Sequence, residues 1–284
     1  MRVTIFGATG LLGKALMREW RGDEVTGLGS RDAEVGSVEQ VARVIAEHQP
    51  DWIVNAAAYT DVDGCETHPD LAFEVNCTGA VNVARAARKA DCRLLFMSTD
   101  YVFDGSKGTP YETDDRRNPR SVYGRTKAQA EEQLVGILPT CCIVRTSWVF
   151  GIDGKCFPDT ILKLASTREA LDVVDDQRGC PTYTTDLARA IVLLCRQEAG
   201  GIVHVTNEGD CTWFEFARQI VRSAGCKTEV RATTSDQFVR PAERPKYSVL
   251  AATTRLRRGI EMPSWQDALG RYLAERARIH KLCR

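Results

Sequence analysis

A glycine-rich turn directly after the first apolar segment constrains the fold of this chain more than any other feature. Residues 3–6 are apolar or β-branched, and Gly7, Gly10 and Gly13 follow at once. After a strand and before a helix, such glycines permit a tight turn, close approach of the backbone to a phosphate, and close helix–sheet packing. The free N–H groups of the helix then attract an anion. We expect a dinucleotide pyrophosphate site here; the alternative is a turn with only a structural role.

Short apolar segments alternate with longer helical ones as far as residue 147. The pattern predicts strands at 3–6, 24–28, 52–56, 93–97 and 142–146, and helices at 12–20, 38–48, 70–89 and 122–138. This alternation predicts an α/β fold, a Rossmann-type doubly wound parallel sheet with helices on both faces. We expect residues 1–150 to form the NAD(P)-binding domain, with 171–209 returning to it. Residues 151–170 and 210–263 would form a smaller substrate-binding lobe, and 264–284 a terminal helix.

Charge and composition exclude several classes of function. The 284 residues carry 38 Lys and Arg against 38 Asp and Glu, which argues against a nucleic-acid binder and a polybasic membrane-surface protein. No apolar run approaches the ~20 residues of a membrane span, and residues 1–6 lack signal-peptide anatomy, so we expect a cytoplasmic protein. The eleven cysteines, Cys283 included, have no C-x-x-C spacing, and His48, His68, His204 and His280 are far apart. We therefore expect no disulfide framework and no metal site.

The end of the second predicted strand bears on the choice of cofactor. A carboxylate there usually selects NAD, but this chain has Gly29 followed by Ser30 and Arg31. Serine and arginine bind a 2′-phosphate through charge-assisted hydrogen bonds, whereas a carboxylate would repel it. We predict NADPH, with NADH possible as a second donor; the alternative is that Arg31 lies in an exposed loop without a ligand.

A tyrosine and a lysine stand four residues apart on a predicted helix. Tyr123 and Lys127 therefore share one helix face, and an ammonium next to a phenol lowers the phenol's pKa from its usual value of about 10. Ser98 and Thr99 follow the fourth predicted strand, at the sheet edge where open parallel sheets bind ligands. Together these residues predict acid/base chemistry at that edge.

The order of these motifs resembles the extended short-chain dehydrogenases/reductases. A closer resemblance, to the dTDP-4-dehydrorhamnose reductases, rests on seven segments that span nearly the whole chain. They are NAAAYT at 55–60, STDYVFDG at 98–105, YGRTK at 123–127, RTSWVFG at 145–151, VVDDQRGCPT at 173–182, WFEF at 213–216 and RPKYSVL at 244–250.

This resemblance implies reduction of dTDP-4-dehydro-L-rhamnose to dTDP-L-rhamnose by hydride transfer from NADPH or NADH. Tyr123 would donate the proton, Lys127 would hold the nicotinamide ribose, and Thr99 would bond the keto oxygen. The implied substrate contacts are Thr99, Asp100, Tyr101 and Trp148. The implied cofactor contacts are Gly7, Gly10, Leu11, Leu12, Gly13, Ser30, Arg31, Glu34, Val35, Ala58, Tyr59, Thr60, Met97, Tyr123 and Lys127.

Two departures from the family pattern change these expectations. Family members commonly carry an aspartate that reaches the adenine, and here either Glu34 has to reach further or the contact is lost. Some members form dimers through magnesium held partly by a carboxylate in the first helix, but residues 14–16 are Lys, Ala and Leu. We therefore expect no metal, and either a monomer or a homodimer.

Other readings of the same residues remain open. Trp148 and Asp100 each have a purely structural alternative, as a core side chain and as a loop cap. The chain also resembles the non-catalytic, NADP-binding regulatory subunit of methionine adenosyltransferase. Within the enzymes, the substrate could be another 4-keto-6-deoxy nucleotide sugar.

Overall fold

The computed structural model describes residues 1–282 and is built on a parallel sheet. Strands within this range are β1 (Arg2–Phe6), β2 (Glu24–Leu28), β3 (Trp52–Asn55), β4 (Arg93–Thr99), β5 (Cys142–Thr146), β6 (Val149–Phe150), β7 (Ala170–Val174), β8 (Arg178–Gly179), β9 (Thr182–Tyr183), β10 (Gly201–His204), β11 (Cys211–Thr212) and β12 (Glu229–Thr233). Its α-helices are α1 (Leu11–Glu19), α2 (Val38–His48), α3 (Val62–Thr67), α4 (Pro69–Phe73), α5 (Gly79–Lys89), α6 (Val122–Ile137), α7 (Phe157–Ala165), α8 (Thr184–Arg196), α9 (Trp213–Ser223), α10 (Thr253–Leu256) and α11 (Trp265–Leu282).

The central sheet has six strands in the order β2-β1-β3-β4-β5-β10, and every neighbouring pair is parallel. Alternate strand residues enter two separate cores, since successive side chains point to opposite faces. Leu95 and Met97 of β4 join the core under α1 and α8, whereas Leu94 and Phe96 join the core under α2, α5 and α6. The predicted doubly wound α/β sheet is confirmed.

The predicted helix at 70–89 is interrupted in the structure. A π-helical turn, Glu74–Thr78, separates α4 from α5. A π turn inserts one extra residue into a helix and occurs often at functional sites. The sequence did not reveal it, because the apolar spacing on either side is that of an ordinary amphipathic helix.

We propose that segments on both sides of α8 and β10 form the predicted smaller lobe. In it β7 pairs with β12 in parallel, β8 pairs with β11 antiparallel, and β6 pairs with β9. Its core is largely aromatic and includes Phe150, Tyr183, Phe216 and Tyr272. Because β7 belongs to this lobe while α8 packs on α1, we propose that the return to the first domain begins at α8, not at residue 171.

Residues 1–282 contain no candidate membrane span, no candidate metal-binding group and no disulfide. No helix in this range is long and apolar enough to cross a membrane. No three His, Cys, Asp or Glu side chains in the described part of the chain are grouped so that they could hold a metal ion. The ten cysteines described there are free thiols, and all but Cys226 are buried. The side chain of His280 and all of Cys283 lie outside the described residues.

Candidate active site

The glycine turn after β1 is built for close approach to another backbone. Gly7 has a φ of 80°, and a Cβ atom there would lie 2.6 Å from the amide nitrogen of Ala57. A Cβ on Gly13 would overlap the carbonyl oxygen of Gly7. The N-cap of α1 is Gly10, which has no side chain to cap the helix, so the first-turn N–H groups are open to an anion. These residues fit the pyrophosphate of a dinucleotide.

The first turn of α1 contacts one core of the central sheet and the core of the smaller lobe. Leu12 packs against the core under α1 and α8, whereas Leu11 packs against the core of the smaller lobe. The loop after β6 is tied to the same helix, because Lys14 Nζ donates to the Asp153 carbonyl at 3.0 Å and Arg18 pairs with the Asp153 carboxylate at 2.5 Å. The turn predicted to bind pyrophosphate is therefore also part of the contact between the lobes.

At the end of β2 the structure adds a carboxylate that the sequence analysis missed. Ser30, Arg31 and Glu34 are exposed, as a ligand-binding loop requires. Asp32 folds back, and its Oδ2 accepts a hydrogen bond from the Gly29 amide at 2.8 Å. The ribose end of the predicted cofactor site therefore contains both a positive and a negative side chain.

The other predicted cofactor contacts range from buried to exposed residues. Val35 is 6% exposed, and its carbonyl accepts a hydrogen bond from the Asn82 side chain at 3.1 Å. Met97 is 7% exposed and belongs to the core under α1 and α8. Ala58 and Tyr59 are half-buried and Thr60 is exposed, on the loop after β3.

Asn76, in the π turn, pins that loop and was missed by the sequence analysis. Its Oδ1 accepts from the Tyr59 amide at 2.8 Å, and its Nδ2 donates to the Tyr59 carbonyl at 3.1 Å. The same Nδ2 donates to Thr126 Oγ1 on α6 at 3.2 Å. The side chain is 1% exposed. Because of the π turn, its one amide links the loop after β3 to helix α6.

Thr99 is the last residue of β4 and lies next to a buried acid. Its Oγ1 donates to Asp100 Oδ1 at 3.0 Å and accepts from the Tyr101 amide at 3.2 Å. Burial raises the pKa of Asp100 to about 6, although the hydroxyls of Ser248 and Thr99 oppose this. Asp100 Oδ2 has no hydrogen-bond partner among the described residues. It is a buried acceptor available to a ligand hydroxyl.

Helix α6 presents Tyr123 and Lys127 to the end of β4. Its N-cap is Ser121, whose hydroxyl accepts from the Gly124 amide at 3.1 Å. The Tyr123 ring meets Tyr101 edge to face, with the centroids 5.8 Å apart. Lys127 is 2% exposed, and its Nζ lies 4.2 Å from the centre of the Phe96 ring.

The electrostatics of this pair differ from the sequence-based expectation. Burial raises the pKa of Tyr123 above its usual range, and a hydrogen bond with Thr99 only partly offsets this. Burial also lowers the pKa of Lys127 to about 7, against the opposing charge of Glu131. The expected lowering of the Tyr123 pKa by Lys127 is not found, because desolvation disfavours the charged form of both groups. Tyr123 is therefore held as a neutral phenol, which is the proton-donating form.

Trp148 lies at the same sheet edge but belongs to the smaller lobe. Thr146 pairs with Thr99 across β4 and β5, and Trp148 follows two residues later with a φ of 46°. Its ring stacks on Trp213 with 3.5 Å between centroids and 6° between planes. Non-glycine residues at positive φ are uncommon, and here the stacked partner holds the unusual conformation.

An ion pair fastens residues 240–248 to helix α3. Arg244 donates to the two carboxylate oxygens of Asp63 at 3.0 and 2.9 Å, and Arg240 approaches the same carboxylate at 3.3 Å. Burial would raise the pKa of Asp63, but Arg244 brings it below its usual value. We call residues 240–248 the strap; sequence analysis assigned no role to its arginines.

Most of the predicted site residues fall into four groups, one of which is Ala58, Tyr59 and Thr60 on the loop after β3. Thr99, Asp100, Tyr101, Tyr123 and Lys127 lie together where β4 meets α6. The glycine turn lies at the end of β1, and Ser30, Arg31 and Glu34 lie at the end of β2. All are at the carboxyl edge of the sheet, as ligand sites of open parallel sheets are.

Comparisons with known proteins agree with this arrangement. The family model described as RmlD substrate binding domain matches residues 1–278. A dTDP-4-dehydrorhamnose reductase of Streptomyces griseus is 41% identical over 278 residues, which cover 94% of this chain and 91% of the relative. A probable dTDP-4,6-dihydroxy-2-methyloxan-3-one 4-ketoreductase of Streptomyces antibioticus is 40% identical over 275 residues, covering 95% and 93%.

Among solved structures, a dTDP-4-dehydrorhamnose reductase from Bacillus anthracis in complex with NADP superposes with a TM-score of 0.94. It is 38% identical, and the match covers 96% of this chain and 99% of that one.

Proposed function

The chain belongs to the RmlD family of dTDP-4-dehydrorhamnose reductases, and on that premise we propose that it reduces dTDP-4-dehydro-L-rhamnose to dTDP-L-rhamnose. NADPH is the hydride donor, with NADH as a second donor. The observation that carries the proposal is the placement of Tyr123, which is within hydrogen-bond reach of the Thr99 hydroxyl at the carboxyl edge of the sheet.

The residues at that edge supply what a ketone reduction needs. The bound dinucleotide supplies the hydride, which adds to C4 and leaves negative charge on the keto oxygen. The Thr99 hydroxyl bonds that oxygen, and Tyr123 donates its phenolic proton to the forming alkoxide. Hydride and proton together convert the ketone into the alcohol.

The remaining residues bind and orient the two ligands. Lys127 holds the nicotinamide ribose, and the glycine turn with the start of α1 holds the pyrophosphate. Asp100 Oδ2 accepts from a sugar hydroxyl, which supports the proposal because the atom is buried without a partner among the described residues. Tyr101 and Trp148 pack on the sugar.

A second candidate is reduction of a different dTDP-linked 4-keto sugar, favoured by the relative named as a 4-ketoreductase at 40% identity. The strap and the Trp148–Trp213 stack belong to the smaller lobe, where sugar specificity would reside. The non-catalytic alternative is disfavoured because Thr99, Tyr123 and Lys127 are all present and adjacent.

Steady-state kinetics test the proposal. The wild type with NADPH and dTDP-4-dehydro-L-rhamnose should lose absorbance at the reduced-nicotinamide band, and Tyr123→Phe should lose most turnover while keeping its affinity for NADPH. Glu132→Gln is the control, because Glu132 lies on the same helix as Tyr123 but is exposed.

The substrate panel separates the alternatives. Turnover of another 4-keto sugar in preference to the rhamnose precursor favours the second candidate. If no dTDP-, UDP- or GDP-linked 4-keto sugar is reduced, the chain is a binding module. The monomeric or homodimeric state and the cytoplasmic location stay predictions, and light scattering measures the first.

A further inference from the structure

A buried carboxylate beside the active site is not used by the proposed reaction. Glu131 lies on α6, one turn after Lys127, and is 0% exposed. Arg145 of β5, 1% exposed, donates to it from Nε at 2.9 Å and from Nη2 at 2.7 Å. Arg117 also approaches it, with Nη1 at 3.3 Å. A carboxylate is costly to bury, so this one has a compensating role.

Glu131 is also bonded to the strand that carries Thr99. The Ser98 hydroxyl donates to Glu131 Oε1 at 2.5 Å. Phe96 and Ser98 point to the same face of β4, because strand side chains alternate. On that face Phe96 lies under the Lys127 ammonium, and Ser98 holds Glu131. Two residues of β4 therefore meet two residues of α6, directly before Thr99.

Lys127 has few other groups to stabilise its charge. Tyr123 on its own helix is neutral, and burial raises the pKa of Cys77 in the π turn, so that thiol is also neutral. Phe96 of β4 offers only the face of its ring. The second buried cation, Arg145, is bonded to that same carboxylate. Glu131 is thus the anion that offsets both buried cations.

We propose that Glu131 is a positioning residue of the active site, which holds the Thr99 end of β4 through Ser98 and keeps Lys127 in its ammonium form. The role of Lys127 as a holder of the nicotinamide ribose rests on the proposed function.

The direction of the pKa of Lys127 supports the second part of this proposal. Burial lowers that pKa to about 7, and Glu131 is the first of the groups that raise it. Without the charge of Glu131 the pKa falls further, so the ammonium is lost at a lower pH. The ammonium donates hydrogen bonds to a ribose hydroxyl, so its loss weakens cofactor binding above the new pKa.

The experiment measures NADPH dissociation constants between pH 6 and pH 9 by fluorescence titration. The wild type should lose affinity as the pH rises above the pKa of Lys127 in the free protein. In Glu131→Gln this loss should begin about one pH unit lower, which is about a tenfold weaker affinity at a pH above both midpoints. Glu131→Asp keeps the charge and should keep the wild-type midpoint even if it melts at a lower temperature.

Glu132→Gln is the matched control, because Glu132 is the adjacent residue of α6 and is exposed. It should leave both the midpoint and the affinity unchanged. If Glu131→Gln weakens NADPH equally at every pH, or only lowers the melting temperature, Glu131 is a counter-ion to Arg145 and the proposal is overturned.

Ser98→Ala tests the first part and is expected to fold, since it removes one hydroxyl and keeps every charge. It should lower kcat about five- to tenfold, less than the roughly hundredfold that a misplacement of about 1 Å can cost, without moving the pH midpoint of NADPH binding. An unchanged kcat would overturn the positioning of Thr99 through Ser98. If NADPH binds but no 4-keto sugar is reduced, the proposed function fails, while the pH titration still tests Glu131.

Discussion

The Asp63–Arg244 pair allows the fastening of the strap to be measured as a coupling energy. Arg244 donates two hydrogen bonds to Asp63, at 3.0 and 2.9 Å, and a third to the Ala242 carbonyl at 2.9 Å. Hydrogen bonds to charged groups contribute about 1.5–3 kcal/mol each. Solvent screening reduces this, because the two side chains are 17% and 27% exposed. Asp63 also keeps Arg240 when Arg244 is removed.

We therefore expect a coupling energy of about 1.5–2 kcal/mol from a double-mutant cycle of Arg244→Met and Asp63→Asn. The assay is urea unfolding of the four proteins at neutral pH. The pKa of Asp63 is below its usual value of 3.8, so the folded state favours the carboxylate. The contribution is then full above the unfolded-state pKa and is lost as the pH falls through the lowered folded-state pKa.

The control cycle uses Arg120 and Glu243, whose side chains are 50% and 60% exposed and which also join the strap to the first domain. This surface pair should couple by less than about 0.5 kcal/mol. A coupling below that same value for Arg244 and Asp63 would refute the reasoning, since the bidentate contact would then have no more effect than a solvated one.

Two further predictions concern groups that bind the cofactor. Lys127→Met should abolish turnover yet raise the melting temperature at pH 7 by about 2–4 °C, because it removes a buried ammonium whose pKa burial has lowered to about 7. Between that pKa and the ordinary lysine value of 10.5 the unfolded wild type binds a proton that the folded protein does not, so the stability of the wild type rises with pH. Calorimetry at pH 7 and pH 9 should find no such rise in the variant. Equal slopes of stability against pH for the two proteins would contradict the prediction. Asp32→Asn should raise the preference for NADPH over NADH by about five- to tenfold, because a negative charge next to the 2′-phosphate is removed, and Arg31→Met should change it in the opposite direction. Calorimetric titration with both dinucleotides measures the ratio, and parallel changes for the two dinucleotides would contradict it.

The features that the sequence predicted are those whose physical cause is local. The glycine turn, the strand-end hydroxyls and the spacing of Tyr123 and Lys127 each depend on a few adjacent residues. Strand and helix bounds such as Cys142–Thr146 and Val38–His48 agree with the prediction because their apolar patterns are unambiguous.

The features that the sequence did not predict depend on three-dimensional packing. Asp63 and Arg244 are 181 residues apart in the chain, and no local pattern relates them. Asn76 has a role only because a π turn directs it between two walls of the site. The pKa of Tyr123 was predicted in the wrong direction, because residue spacing does not reveal how far burial outweighs a neighbouring charge.

The pairing of β7 with β12 has a consequence for how this protein is made and how it can be divided. A nascent chain exposes β7 on the ribosome before α8, β10 and β12 have been translated, so the edge of β7 waits without its parallel partner. The chain therefore returns to the first sheet with α8 and β10 before β12 is made and can pair with β7. For the same reason a chimera that exchanges the β7–β12 pair between relatives needs crossovers on both sides of α8 and β10.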